Sequence, residues 1–131
     1  MSNGETSTGM EPSIAGLLCY VLGWITGIIF IIIEKQNNFV RFHAMQSIVV
    51  FGALTILSIL ISIIQGIFLT AAAGAGAMAL STIFSLVSLI STIIWIIGLV
   101  AWIILMVKAY QGEYFKLPIA GDIAEKQIDK I

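Results

Sequence analysis

The sequence predicts an all-α membrane protein, with three transmembrane helices followed by a short cytoplasmic amphipathic C-terminal segment. Three observations carry this expectation. Of the 131 residues, 60% are hydrophobic and only 10% charged, against roughly 45 to 50% apolar and about 25% charged in soluble domains. The apolar residues gather into long runs over 14–33, 44–69 and 80–107 that contain no Asp, Glu, Lys or Arg. All six Lys and Arg lie either between the first two runs or after the third.

Residues 1–13 carry Ser, Thr, Asn, Gly and Glu without apolar periodicity, so they read as a disordered tail that ends where Pro12 and Ser13 open a helix. A secretory signal peptide is not expected, because this N-terminus is acidic where a signal has a basic region. The first span, 14–33, holds twelve Leu, Ile, Val or Phe residues. At about −0.3 to −0.6 kcal/mol each they favour insertion by about 4 to 7 kcal/mol, and twenty helical residues cover about 30 Å, the thickness of a hydrocarbon core.

Glu34-Lys35-Gln36-Asn37-Asn38 interrupts the apolar pattern with charges and turn formers, and Asn38 suits the N-cap of the next helix. The second span, 44–69, is followed by the charge-free stretch Thr70 to Ala77, whose glycines favour a turn. The third span, 80–107, stops at Lys108, and residues 108–131 form a tail. Gly112 releases the helix there and Pro118 prevents its continuation. Within the tail, Asp122 and Glu125 have capping-box spacing, and Ile119, Ile123, Ala124, Ile128 and Ile131 fall along one face of a short helix. Such a helix suits the membrane surface, the end of the bundle or a soluble partner.

The positive-inside rule places Lys35, Arg41 and the tail lysines in the cytoplasm, in the cell membrane, and an odd number of spans then puts the N-terminus outside. Net charge of −1 excludes a nucleic-acid footprint. A single cysteine, Cys19, rules out an intrachain disulfide.

Helices associate in lipid through close backbone approach and polar contacts. Candidate packing stripes are Ala15, Cys19, Gly23 and Gly27 in the first span, with GxxxG at its end, then Ser58, Ser62 and Gly66 in the second, and Ser81, Ser85, Ser88 and Thr92 in the third. Such stripes suit a compact bundle or a homo-oligomer interface. Trp24 and Trp95 fall near mid-span, where each indole N–H needs a protein partner, so both rings are expected to face the bundle.

Chemistry is harder to find. The spans lack the buried carboxylates, amines and histidines that proton relays and ion-coupled transport require, and His43 has no second metal ligand near it. No catalytic residue, metal or cofactor is expected. The densest polar group is Phe39, Arg41, Phe42, His43 and Gln46 at the cytoplasmic start of the second span. Two readings stand there: interfacial anchoring by aromatic rings and a snorkelling Arg41, or a vestibule of Arg41, His43 and Gln46 that binds a lipid headgroup or a cytoplasmic protein partner.

The stretch Asn38-Phe-Val-Arg-Phe-His-Ala-Met-Gln-Ser47, taken with Met106-Val-Lys-Ala-Tyr-Gln-Gly-Glu-Tyr-Phe-Lys-Leu-Pro-Ile119, resembles small prokaryotic multi-pass membrane proteins related to the chloroplast inner-envelope import component of the Tic type. The resemblance covers Ile14 to Ile119. It implies a helical membrane protein and brings no catalytic residues; the plastid relatives have four spans and are described as part of a preprotein-conducting channel. The combined expectation is a non-enzymatic, self-associating bundle that contacts the bilayer and binds a lipid or protein partner at its cytoplasmic face. An oligomeric pore or polypeptide-conducting channel is the alternative.

Overall fold

A computed structural model describes residues 5–72 and 77–130. Among the described residues five helices follow in chain order: α1 (Pro12–Val21), α2 (Trp24–Ile33), α3 (Asn38–Ala72), α4 (Ala77–Tyr110) and α5 (Ala120–Lys130). The chain divides into two compact units, one of residues 1–53 with 100–131, the other Leu54–Leu99. Both α3 and α4 are long and apolar enough to cross a bilayer. They contain the expected spans 44–69 and 80–107 and extend beyond both ends of each. The turn expected over 70–77 lies partly outside the described residues.

The expected first span is not one helix. Pro12 occupies the first turn of α1, where a missing N–H costs nothing, but the helix stops at Val21, and Gly23 takes φ 63° and ψ −133° before α2 begins at Trp24. A side chain is strongly disfavoured in that conformation. Hydrogen bonds show that the chain reverses there: the Ser7 N–H donates to both carboxylate oxygens of Glu34 at 2.9 and 3.0 Å, and Lys35 N–H donates to Ser7 Oγ at 2.8 Å. A straight helix over 14–33 would hold its ends about 30 Å apart, beyond what the few extended residues from Ser7 to Pro12 can recover. Two short helices therefore fold back on each other as a hairpin, each about 15 Å long, half a hydrocarbon core.

Two further expectations change with it. Residues 5–11 are fixed instead of forming a disordered tail: besides Ser7, Asn37 Nδ2 donates to Glu5 O at 3.3 Å and Thr6 Oγ1 to Met10 O at 2.7 Å. Residues Glu5 and Ser7 also lie against the Glu34–Asn37 connection, where the sequence placed the N-terminal segment and that connection on opposite sides.

Close approach explains the small residues of the hairpin. Ala15 and Cys19 are fully buried in the core of the first unit, with Tyr20, Phe30, Phe39, Val40, Ala44, Leu105 and Ala109. A Cβ on Gly16 would stand 2.9 Å from the Phe39 ring, and one on Gly27 would stand 2.8 Å from the carbonyl oxygen of Ala44. The Ala15, Cys19, Gly23, Gly27 series thus packs inside the chain from two helices and a turn, and GxxxG straddles the break instead of forming a single helical stripe. Ser47 Oγ donates to Gly23 O at 2.8 Å, fastening the turn to α3.

The helix ends follow local chemistry. Asn37, one residue before the expected cap, accepts Val40 N–H on Oδ1 at 3.1 Å. After α4, Gly112 at φ 79°, with Gly112 N–H on Ala109 O and Glu113 N–H on Lys108 O, closes a Schellman motif. In α5 the Asp122–Glu125 capping box does not form. The helix begins two residues earlier, and both carboxylates turn to Lys116 Nζ at 3.7 and 2.8 Å. Its buried face is Gly121 and Ala124, whereas Ile119 and Ile123 are exposed; Ile131 lies outside the described residues.

Candidate functional site

Phe39, Arg41, Phe42, His43 and Gln46 are all buried, the last two completely. They lie at the start of α3, covered by α1 and by the segment that follows α4. The side-chain polar atoms of His43 and Gln46 bond to other elements of the first unit.

The hydrogen-bond directions can be worked out from the donors and acceptors present. His43 Nε2 lies 2.8 Å from the Glu113 carbonyl oxygen, which can only accept, so that nitrogen carries the proton. Gln46 Nε2 donates to Tyr20 Oη at 2.9 Å and to Phe115 O at 2.9 Å. Tyr20 then directs its own O–H to His43 Nδ1 at 2.7 Å. Leu117 N–H completes the set by donating to Gln46 Oε1 at 3.0 Å. A neutral imidazole, a phenol and an amide thereby join α1, α3 and the 113–117 segment with every donor placed on an acceptor. Phe39, Phe42, Tyr20 and Tyr114 surround the His43 ring at centroid distances of 4.6 to 6.4 Å. Trp102 adds a fourth element, since its indole N–H donates to Tyr20 O.

Glu34 and Arg41 form a second group beside the hairpin. Arg41 Nη1 donates to the Glu34 carbonyl oxygen at 2.8 Å. The Glu34 carboxylate is fully buried and accepts the backbone N–H groups of Ser7, Gln36 and Asn37 at 2.9 to 3.0 Å. Burial by itself raises this carboxyl, but the N–H donors of Ser7, Asn37 and Gln36 outweigh it and hold the group below its ordinary value of 4.5. A carboxyl depressed in the folded state contributes stability that is present above its unfolded value and lost as pH falls through the folded one. Glu34→Gln is therefore expected to flatten the loss of stability below about pH 5, as followed by thermal unfolding in mild detergent. An acid loss in the variant as steep as in the parent would refute this role.

The other sequence candidates scatter. Trp95 is 54% exposed and Trp24 is only half-buried; Trp102, also half-buried, is the tryptophan whose indole N–H reaches the core backbone, and the sequence did not single it out. Ser58 and Thr92 bond back to carbonyls one turn earlier in their own helices. Ser88 accepts a bond from Gln65 at 2.8 Å, Ser62 and Ser85 are exposed, and a Cβ on Gly66 would meet open space. Tyr20, Glu34 and Asn37 were also missed. Their signal was present: a phenol within an apolar run and a carboxylate at the end of one each need a partner on burial.

This arrangement is a clamp. Among the described residues no group of three or more His, Cys, Asp or Glu could hold a metal ion, and Tyr20 and His43 face each other in a closed network.

The family described as the magnetosome magnetite crystal formation protein family (MamF/MmsF) matches residues 6–124. A UPF0132 membrane protein of Methanocaldococcus jannaschii is 44% identical over 94% of this chain and 94% of its own length. A second from the same organism is 39% identical over 90% of this chain and 71% of the relative, and one from Archaeoglobus fulgidus is 41% identical over 91% and 97%. No solved structure matches. With two helices of membrane-crossing length and relatives named as membrane proteins, the chain is a helical membrane protein that belongs to the MamF/MmsF family.

Proposed function

We propose that this protein is a non-enzymatic membrane scaffold. It self-associates in the cell membrane and offers a lipid or protein partner the surface of its cytoplasmic end. The carrying observation is the closed Tyr20–His43–Gln46 network, which commits a dense polar group among the described residues to holding the chain's own elements together. Two helices cross the bilayer and the α1–α2 hairpin enters and leaves from one side. Irregular backbone at membrane depth is tolerated where protein covers it, and Phe51 and Ser47 of α3 lie against Gly23.

Lys35, Arg41, Lys108 and the α5 lysines gather on the side of the connection before α3 and of the chain after α4, which makes that side cytoplasmic. Both described chain ends then face the cytoplasm, and the docking surface passes from the buried motif to α5 and its exposed neighbours Tyr114, Ile119 and Ile123. From the family's description, magnetite crystal formation, we carry over a place in a membrane assembly. Direct contact with mineral has no ligand group behind it among the described residues.

An oligomeric pore or polypeptide-conducting channel of the Tic-type kind is a second reading, favoured by the exposed hydroxyl groups of Ser62, Ser85 and Thr92 on the long helices. Planar-bilayer recording of the purified protein separates the two. A silent bilayer is expected of a scaffold; reproducible conductance abolished by bulky replacement of Ser62 or Thr92 would establish the pore instead.

A further inference from the structure

The α1–α2 hairpin leaves an apolar side uncovered by its own chain. Leu22 at the turn is 62% exposed, and Ile25, Ile29 and Ile32, which share one face of α2, are 46 to 60% exposed. In a membrane protein such a strip lies among acyl chains.

How deep it reaches is set by α3. The open end of the hairpin lies at Asn37, whose N–H donates to the Glu34 carboxylate at 3.0 Å. Its turn lies against Ser47, which donates to Gly23 O, and against Phe51. Arg41 is the last charged residue before Lys108, and a charge inside hydrocarbon is expensive, so the hydrocarbon core begins no earlier than Phe42. A core of about 30 Å takes about twenty residues of helix, which places the bilayer midplane at the level of Phe51 or beyond. Tilting α3 uses more residues for the same thickness and moves the midplane further on. The hairpin therefore ends within the leaflet it enters, whereas α3 continues unbroken to Ala72, about 30 Å past Phe51.

Lipid is then displaced unequally. Two helices of about 10 Å diameter take roughly 200 Å² from the cytoplasmic leaflet, and the hairpin takes no matching area from the other. Bending the membrane so that the cytoplasmic leaflet is convex widens that leaflet and makes room for the hairpin; the opposite bend closes it. We infer that the hairpin is a curvature element, by which the protein gathers on, and stabilises, membrane whose cytoplasmic leaflet is convex. This rests on the one-sided hairpin proposed above and gives it a function of its own.

The test is tube pulling from giant phosphatidylcholine vesicles that carry the full chain with Lys126→Cys. Cys19 is buried, so a membrane-impermeant fluorescent maleimide added outside marks only molecules whose cytoplasmic end faces outward. Blocking those first and then adding a permeant fluorescent maleimide marks the inward ones. The outward molecules are expected at a tube-to-vesicle density ratio above unity that rises as the tube narrows, and the inward ones below unity. Equal density of both populations in tube and vesicle, with Glu5→Cys and Lys126→Cys reactive from the same side, would overturn the curvature function alone. Reaction of Glu5→Cys from the opposite side would overturn the hairpin reading with it. Gly23→Leu separates the hairpin from α5, which lies at the same end of the protein. Molecules in which this variant opens the hairpin into a full span, recognised by Glu5→Cys, are expected to sort less than the parent. Sorting as strong as the parent's in those molecules would take the effect away from the hairpin.

Discussion

Gln46→Leu is expected to destabilise the protein by on the order of 3 kcal/mol or more, and to release the segment between Glu113 and Leu117. Leucine matches the size of the amide but makes none of its bonds. The change removes the donors to Tyr20 Oη and Phe115 O and the acceptor for Leu117 N–H. At about 1 to 3 kcal/mol for each buried group left unpaired, the loss exceeds that from Tyr20→Phe, which leaves the Gln46 bonds to Phe115 and Leu117 intact. Hydrogen exchange provides a local readout: the Leu117 amide, protected in the parent, is expected to exchange rapidly in the Gln46→Leu variant. Unchanged protection with unchanged thermal stability would show that the network does not hold this segment.

Gly23→Leu is expected to have a different and larger consequence, a change of topology. A side chain at φ 63° and ψ −133° strains the backbone by about 1 to 3 kcal/mol, even though its Cβ would meet Phe51 only in ordinary contact. A competing state lies close at hand, because the apolar run over 14–33 inserts favourably as one continuous helix. Opening the hairpin removes the Ser7–Glu34 bonds and sends the N-terminal segment across the bilayer. A fraction of Gly23→Leu molecules with Glu5→Cys reactive only from the outer side is the expected signature. A variant as stable as the parent, with all its N-termini on the parent's side, would mean that the turn does not depend on glycine.

These two variants mark the boundary of what the sequence reveals. The long helices were legible because charge-free apolar runs between Arg41 and Lys108 admit few other structures, and Gly112 and Pro118 marked where α4 stops. The hairpin was not, because hydropathy sums over residues and is the same for twenty residues in one helix or in two of ten. Gly23 fitted GxxxG equally well as a contact face, and only its backbone angles reveal the turn.

The polar motif was found but its direction was not. Phe39, Arg41, Phe42, His43 and Gln46 spread around a helix, which reads as an interfacial collar until partners on other elements are known. Those partners include main-chain atoms of Glu113, Phe115 and Leu117, which no side-chain pattern encodes. Trp95 was expected inside by the need of its N–H for a partner.

The hairpin and its clamp are tested most directly by the side on which the N-terminal segment lies. In sealed vesicles of known orientation, a membrane-impermeant maleimide applied to one side at a time reads Glu5→Cys and Lys126→Cys separately. Both cysteines are expected to react from the cytoplasmic side, Lys126→Cys faster because Glu5 is tied to Asn37. Reaction of Glu5→Cys from the opposite side to Lys126→Cys would restore three full crossings and contradict the hairpin.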